Sequence, residues 1–217
     1  MTVSGFQLRS MTSSQPMARC SAVKDSKVGV VMAPQGTPKE ADLASFYTIG
    51  HSTHPADEFI GMLRAAGARF VADVRTMPRS RTNPQFNTDV LPAALAKAGI
   101  GYEHMAALGG LRSRRRDVES RVNAFWENKS FHNYADYAMT SPVFRAGLEQ
   151  LRAMGRDERC AIMCAETVWW RCHRRIIADY LLAAGHEVQH IMADGKVTPA
   201  RLTEGAQRAG SALRYPG

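Results

Sequence analysis

The sequence predicts an α/β domain: a three-layer fold in which a largely parallel sheet is flanked by helices. From Ser45 onward, short apolar runs alternate with segments of helical period, which is the pattern of βα units. Residues 69–74 are almost continuously apolar, as expected of a strand covered on both faces. A chain of 217 residues with 45% hydrophobic content can build one such core.

The prediction divides the chain into three segments. Residues 1–44 show no sustained period, and we expect either a disordered, mobile tail or an extension produced by a misannotated start. Residues 45–195 hold the alternating pattern and form the predicted single α/β domain. Residues 196–217 are expected to be a loose C-terminal extension.

The first two predicted strands are residues 46–50 and residues 69–74, joined by a helix. Pro55 suits the first position of that helix, and Gly67 suits its end. Further along the chain, Thr88 is the expected cap of a helix that ends at Gly99. The remaining predicted elements are a strand at 100–105, a helix starting at Ser141 and Pro142, a strand at 159–164, a helix at 171–185 and a strand at 187–192.

Charge and cysteine content indicate the kind of partner and the compartment. The formal net charge of +8 is carried mostly by arginine, whose planar guanidinium suits phosphate and carboxylate. We therefore expect a small anionic or phosphorylated ligand, with nucleic acid as a further possible partner. Four cysteines without a secretory signal indicate reduced thiols, and no apolar run reaches the roughly 20 residues of a membrane span. The prediction is a cytoplasmic protein that has no membrane partner, with its oligomeric state undetermined.

Polar residues follow the predicted strands. Because the carboxyl ends of parallel strands share one edge of a sheet, the loops after them should meet there. The candidate ligand-binding residues in these loops and near them are His51, Ser52, Asp73, Arg75, Arg79, Ser80, Arg81, Gly109, Gly110, Tyr134 and Arg174. The candidate catalytic residues are Cys164, Glu166, Cys172 and His173.

Cys172 and His173 come one turn before Ile176 and Ile177, so in one helix they would continue its buried face. A helix N-terminus carries partial positive charge, which lowers the pKa of a nearby thiol or binds phosphate. Glu166 could act as a base or orient His173, and the arginines could grip a charged substrate.

Standard cysteine motifs do not match. A phosphatase loop needs arginine six residues after cysteine, and that position after Cys164 is Trp170. The step of eight from Cys164 to Cys172 does not supply a thioredoxin-like pair. Zinc held by both cysteines, His173 and either His51 or His54 fits no standard spacing. No metal ligand and no cofactor is therefore assigned.

Several short motifs resemble one known family. They are Ile49-Gly50-His51-Ser52, Asp73-Val74-Arg75, Pro78-x-Ser80-Arg81 with Pro84-x-Phe86, Leu108-Gly109-Gly110, Tyr134-x-x-Tyr137, and Cys164-Ala165-Glu166 with Cys172-His173-Arg174. Together they resemble the domain-of-unknown-function 488 family (DUF 488). The resemblance implies an α/β domain of bacterial and archaeal type and no particular activity. Trp169-Trp170-Arg171 replaces the more usual acidic-proline connection before Cys172.

Three functional hypotheses follow. The favoured one is an enzyme acting on a phosphorylated or nucleic-acid-derived substrate, because inward-pointing cysteine and histidine at a sheet edge suit chemistry. The alternative is a non-catalytic nucleic-acid-binding module that uses arginines 112–116 and exposed aromatic side chains. The third is a metal or thiol-sensing site.

Overall fold

A computed structural model describes residues 43–217, so the predicted tail at 1–44 lies almost wholly outside the described residues. The strands are β1 (Ser45–Gly50), β2 (Phe70–Asp73), β3 (Gly101–His104), β4 (Cys160–Cys164), β5 (Glu187–Ile191), β6 (Val197–Pro199), β7 (Gln207–Ala209) and β8 (Ala212–Arg214). The helices are α1 (Ala56–Ala65), α2 (Leu91–Lys97), α3 (Lys129–Thr140), α4 (Pro142–Asp157) and α5 (Arg174–Ala183). None of the helices in this part of the chain is both long and apolar enough to cross a bilayer.

Six strands form one sheet in the order β3-β2-β4-β1-β5-β6. The pairs among β1 to β5 are parallel, and only β6 runs antiparallel, beside β5. The predicted α/β class with a largely parallel sheet is confirmed. Because β1, β2 and β4 occupy the middle, the loops that follow them lie side by side at the carboxyl edge.

The sheet is covered on both faces. All five residues of β4 are buried, and they alternate between two apolar clusters. Ala161 and Met163 face the cluster that includes Phe59, Leu63, Leu91 and Leu95 of α1 and α2. Cys160, Ile162 and Cys164 face the cluster built by α3, α4 and α5. The period of two along a strand therefore places Cys164 on the α5 side of the sheet.

Two helix starts differ in their agreement with the sequence. α4 begins at Pro142, which agrees with the predicted start at Ser141 and Pro142, and the Ser141 hydroxyl caps it by accepting a hydrogen bond from the Phe144 N–H at 3.3 Å. The predicted cap at Thr88 is wrong, because α2 begins at Leu91, directly after Val90, and no side chain accepts a capping hydrogen bond there.

The last helix also begins later than predicted. Residues 169–171 form a short 3-10 turn, and Cys172 follows in an extended conformation with φ of −126° and ψ of 145°. The α5 helix starts only at Arg174. The prediction that Cys172 and His173 lie within one helix with Ile176 is wrong, because the chain turns sharply between the 3-10 turn and α5. Both residues lie at the helix entrance, where Cys172 is nevertheless buried.

The C-terminal segment is packed, and the expectation that it is loose is wrong. β6 extends the main sheet, while Leu213 and Tyr215 are buried in the α5-side cluster. Asp179 of α5 accepts hydrogen bonds from the Thr203 N–H at 2.8 Å and the Tyr215 hydroxyl at 3.0 Å. A buried carboxyl on α5 thus anchors two points of the segment.

This anchor predicts a pH-dependent stability. Burial, opposed in part by the hydrogen bonds from Thr203, raises the pKa of Asp179 to about 6 from an ordinary value of 3.8. The folded protein therefore holds this proton more tightly than the unfolded chain, and the resulting stabilisation is present below about pH 4 and lost as the pH rises through 6. Relative to Asp179→Asn, the wild-type free energy of unfolding should fall between pH 4 and 7 by up to about 3 kcal/mol.

Urea denaturation across that pH range measures this difference. Asp194→Asn is the matched control, because the Asp194 carboxyl is exposed beside Lys196 and its pKa is lowered by the hydrogen bond from that side chain. Asp194→Asn keeps Asp179, so relative to this control the wild-type free energy of unfolding should show no such fall. A wild-type curve that stays parallel to the Asp179→Asn curve would contradict the role of Asp179.

Candidate active site

The loop after β4 crosses the end of β1 at close range. The His51 N–H donates to the Cys164 carbonyl at 2.9 Å, and the Ser52 N–H donates to the Ala165 carbonyl at 3.0 Å. A Cβ atom on Gly50 would lie 1.9 Å from the Glu166 carbonyl oxygen. Position 50 therefore has to be glycine for residues 165–167 to pass.

A cavity of about 400 Å³ opens beside this crossing. Six of the residues named from the sequence line it: Arg75, Gly110, Cys164, Glu166, Cys172 and His173. The sequence named Ala165 and Arg171 only as parts of motifs, and it did not identify the other lining residues, which are Thr76, Met77, Leu111, Asn128, Ser130 and Phe131. Asn128 could have been found from the sequence, because asparagine is a preferred helix cap and its side chain caps α3 by accepting a hydrogen bond from the Ser130 N–H.

His173 has a fixed tautomer. Its Nε2 lies 3.0 Å from the Val74 carbonyl oxygen, which can only accept, so Nε2 carries a hydrogen. Its Nδ1 faces the Cys172 Sγ at 3.6 Å. The imidazole is therefore oriented to take the thiol proton at Nδ1 and to return it.

Arg174 contributes a charge to the same sulfur. Its side chain is buried, its Nε donates to the Cys172 Sγ at 3.2 Å, and one terminal nitrogen donates to the Glu166 carbonyl at 2.5 Å. No carboxylate within residues 43–217 forms an ion pair with it. Because a guanidinium keeps its proton, the Cys172 sulfur is the group placed to balance this buried charge.

The two neighbouring thiols titrate in opposite directions. Burial favours the neutral form of Cys172, but the hydrogen bond from Cys164, the Arg174 charge and His173 outweigh it and hold the pKa of Cys172 well below its usual value. The hydrogen bond to Cys172, together with burial, raises the pKa of Cys164 well above that value. The arrangement thus favours a thiolate at Cys172 and a neutral thiol at Cys164.

The same atoms form a potential metal-ligand set. The sulfurs of Cys164 and Cys172 and a ring nitrogen of His173 all lie within 4.8 Å of one another. These are soft ligands of the type that zinc prefers, and three of them leave an open position. Arg174 opposes a cation here, because its positive charge contacts the Cys172 sulfur directly.

Neighbouring residues hold the His173 ring in place. The Tyr134 ring packs edge-on against it at a centroid distance of 5.0 Å, and the Tyr134 hydroxyl donates to the Leu108 carbonyl. A Cβ on Gly110 would lie 2.4 Å from the His173 Nδ1. Tyr134 is fully buried and Gly109 packs against Thr76, so neither lines a described cavity, whereas Gly110 does.

A second network holds Arg75 in the wall of the cavity. Asp73 accepts from the Arg75 Nε at 2.9 Å and from a terminal nitrogen at 2.6 Å, while the other terminal nitrogen donates to the His51 Nε2 at 3.2 Å. The His51 ring stacks on Phe86 at 4.1 Å. Burial, reinforced by the Arg75 charge, lowers the pKa of His51 to about 4, so this ring is neutral at pH 7.

A second cavity of about 370 Å³ adjoins the first, and Arg75, Met77 and Ala165 line both. The candidate residues His51, Ser52, Arg79 and Ser80 also line it, together with Thr53 and Asn83, which were not among the candidates. Ser52 has a positive φ of 49°, an uncommon conformation for a residue other than glycine. Arg81 is exposed and lines neither cavity, and the buried Asp73 and Arg174 act through their neighbours.

Several arginine and aromatic side chains that could bind nucleic acid instead contact other residues of the protein. The Arg112 guanidinium lies 3.9 Å above the Tyr137 ring and donates to the Gly109 carbonyl, and Arg115 pairs with Asp117. Trp169 stacks on His190 at 4.1 Å. Trp170 is 45% exposed but, like Trp169, lines neither described cavity.

Comparison with known proteins identifies the family. The family model described as "Domain of unknown function DUF488" matches residues 55–181, more than half of the chain. The chain belongs to this family. The match includes the loops that carry Arg75, Gly110, Cys172 and His173, and it ends within α5. No curated protein and no solved structure matches the chain.

The close approach of Gly110 to His173 gives a structural prediction. In Gly110→Ala, the new methyl group should displace the imidazole and break its bond to the Val74 carbonyl, which costs about 1–3 kcal/mol of stability. Urea denaturation measures this loss, and the His173 Nε2–H resonance in NMR spectra should disappear or shift. Gly61→Ala is the control, because no atom lies within 4 Å of its added Cβ. An unshifted resonance in Gly110→Ala would contradict the prediction.

Proposed function

We propose that this chain is an enzyme that attacks a phosphorylated or nucleic-acid-derived anionic substrate through the sulfur of Cys172. One observation carries the proposal: Cys172 lines the larger cavity, and its sulfur receives the Arg174 N–H and faces the His173 Nδ1. A nucleophilic cysteine needs a base, a positive charge that supports the thiolate, and access to substrate. The three features supply these requirements together.

The catalytic residues have separate roles in this proposal. His173 is the base at Nδ1, and Val74 fixes its orientation. Arg174 supports the thiolate and holds the Glu166 backbone, so it does not grip the substrate as the sequence suggested. The entrance of α5 adds partial positive charge near the sulfur. Glu166 is exposed and lines the cavity, where it serves as an acid or base toward substrate.

Arg171 is the proposed contact for the substrate anion. Its side chain is exposed and lines the same cavity as Cys172 and His173, whereas the Arg75 guanidinium is largely engaged by Asp73, His51 and Phe86. Ser130 and Asn128 add polar groups to that wall. These residues place one positive charge and neutral hydrogen-bonding groups beside the nucleophile.

The nucleic-acid-binding alternative receives less support. Within residues 112–116, Arg112 and Arg115 have partners, which leaves Arg114 and Arg116 without a hydrogen bond or ion pair in the described chain. Two exposed arginines and one partly exposed tryptophan make a small binding surface. Strongly salt-dependent binding of single-stranded nucleic acid, lost in a variant that replaces both arginines, would favour this alternative over the enzyme.

Alkylation by iodoacetamide tests the nucleophile, in full-length protein that carries Cys20→Ser. Because the pKa of Cys172 is lowered, its rate constant at pH 6 should remain within about tenfold of that at pH 9, whereas a thiol with a pKa near 8.5 loses about 200-fold. Peptide mass spectrometry assigns the modified residue. Arg174→Gln should move the profile to higher pH, and Arg174→Lys should move it less.

Cys160 is the internal control in that experiment, because burial raises its pKa to about 12 and it lines neither cavity. It should remain unmodified in the folded protein. If the alkylation rate constant of Cys172 fell between pH 9 and pH 6 as steeply as that of a free thiol, Cys172 would not be the proposed nucleophile.

Protection by inorganic phosphate tests the anion contact. Phosphate should slow the alkylation of Cys172, and Arg171→Gln should raise the phosphate concentration needed for half protection by about tenfold, as expected for one charge-assisted hydrogen bond. Arg208→Gln is the control, because Arg208 is exposed on β7 and lines neither cavity. Equal protection in all three proteins would contradict a contact at Arg171.

A further inference from the structure

The proposed nucleophile has a second thiol beside it. Cys164 ends β4, and its Sγ lies within 4.8 Å of both the Cys172 Sγ and the nearest nitrogen of His173. The eight-residue step between the cysteines gave no redox motif in the sequence. The loop at 165–171 nevertheless returns through its 3-10 turn and brings the two sulfurs together.

The two sulfurs have different surroundings. The Cys172 sulfur receives the Arg174 Nε–H at 3.2 Å and faces His173, while neither group donates a hydrogen bond to Cys164. A thiolate is the species that attacks an oxidant, and a nearby neutral thiol is the species that resolves the product.

Cys164 and Cys172 both line the larger cavity, which gives a small oxidant a path to them. Arg171 lines it as well, and its exposed guanidinium can stabilise negative charge on a departing oxygen. Cys160 lies on the same strand and the same face as Cys164, but it is fully buried and lines neither cavity. Reaction with an oxidant should therefore discriminate between these cysteines.

We propose that Cys172 and Cys164 form a dithiol–disulfide pair that reduces hydroperoxides, with Cys172 as the attacking thiolate and Cys164 as the resolving thiol. The proposal shares with the proposed function the thiolate at Cys172 and the proton transfer at the His173 Nδ1. It adds a second substrate class, a small hydroperoxide, and a second reacting residue. A small-molecule or protein dithiol is the reductant class that completes the cycle.

The steps balance. The Cys172 thiolate attacks the terminal peroxide oxygen, the O–O bond breaks, and the alkoxide or hydroxide leaves with a proton from the His173 Nδ1, which gives a sulfenic acid. The Cys164 thiol passes its proton to His173 while its sulfur attacks Cys172, and the sulfenic oxygen leaves as water when the S–S bond forms. Two electrons pass from the sulfurs to the peroxide, and the dithiol returns them.

The buried charge of Arg174 favours re-reduction. A disulfide is neutral, so its formation removes the anionic partner of this guanidinium. The oxidised form therefore leaves an uncompensated buried charge, and reduction restores the thiolate beside it. This makes the bond a reversible one and not a structural cross-link.

Hydrogen peroxide tests the pair in reduced, full-length Cys20→Ser protein. One equivalent should produce a disulfide between Cys164 and Cys172, identified by non-reducing peptide mapping. Cys164→Ser should instead accumulate a sulfenic acid at Cys172, trapped by dimedone, and Cys164→Ala repeats the test if the serine variant misfolds. Cys160→Ser is the matched control and should form the wild-type disulfide.

With dithiothreitol present, peroxide consumption should continue over many turnovers, and Cys172→Ser should lower its protein-dependent rate at least tenfold. Oxidation of Cys160 as fast as Cys172, over-oxidation of Cys172 without a disulfide, or bound metal that blocks the reaction would each overturn the redox pair. Alkylation of Cys172 at low pH without disulfide formation would leave the proposed nucleophile intact and remove only this inference. If Cys172 showed neither alkylation at low pH nor disulfide formation, both the proposed nucleophile and the redox pair would be wrong.

Discussion

The contact between the buried Arg174 guanidinium and the Cys172 sulfur organises the site. α5 brings a permanent positive charge into a region without a paired carboxylate among the described residues, and such a charge is costly unless an anion lies beside it. The same side chain holds the Glu166 backbone, which crosses β1 where only Gly50 leaves space. One buried cation therefore couples the charge state of Cys172 to the path of the loop after β4.

A second ion pair plays a different part. Asp73 neutralises Arg75, and Arg75 in turn fixes His51 against Phe86, so this network is satisfied internally. It forms the wall shared by the two cavities and contributes little free charge to either. Arg75 therefore differs from Arg174, because Arg75 has a carboxylate partner and Arg174 has a sulfur. Only the second arrangement raises the reactivity of a nucleophile.

The two proposed activities share one physical origin. A thiolate that is stabilised by a guanidinium attacks electrophilic substrates, and the same thiolate is readily oxidised. In a cavity open to small molecules, an adjacent neutral thiol can react with the oxidised sulfur to form a disulfide, which a reductant can reverse. Cys164 is suited to this because β4 fixes its position near Cys172 and its raised pKa keeps the thiol protonated.

The sequence by itself determined the α/β class, the five parallel strands and the collection of polar loops at one edge, because these follow from local apolar periodicity and chain order. It located Cys172 and His173 but misassigned their helix, and it treated residues 196–217 as loose although Tyr215 is buried. Tertiary structure decided what spacing cannot express: that Arg174 faces a sulfur while Arg171 faces the cavity, and that Cys164 lies beside Cys172. Those relations depend on the direction of side chains after two sharp turns, and residue spacing along the chain does not encode that direction.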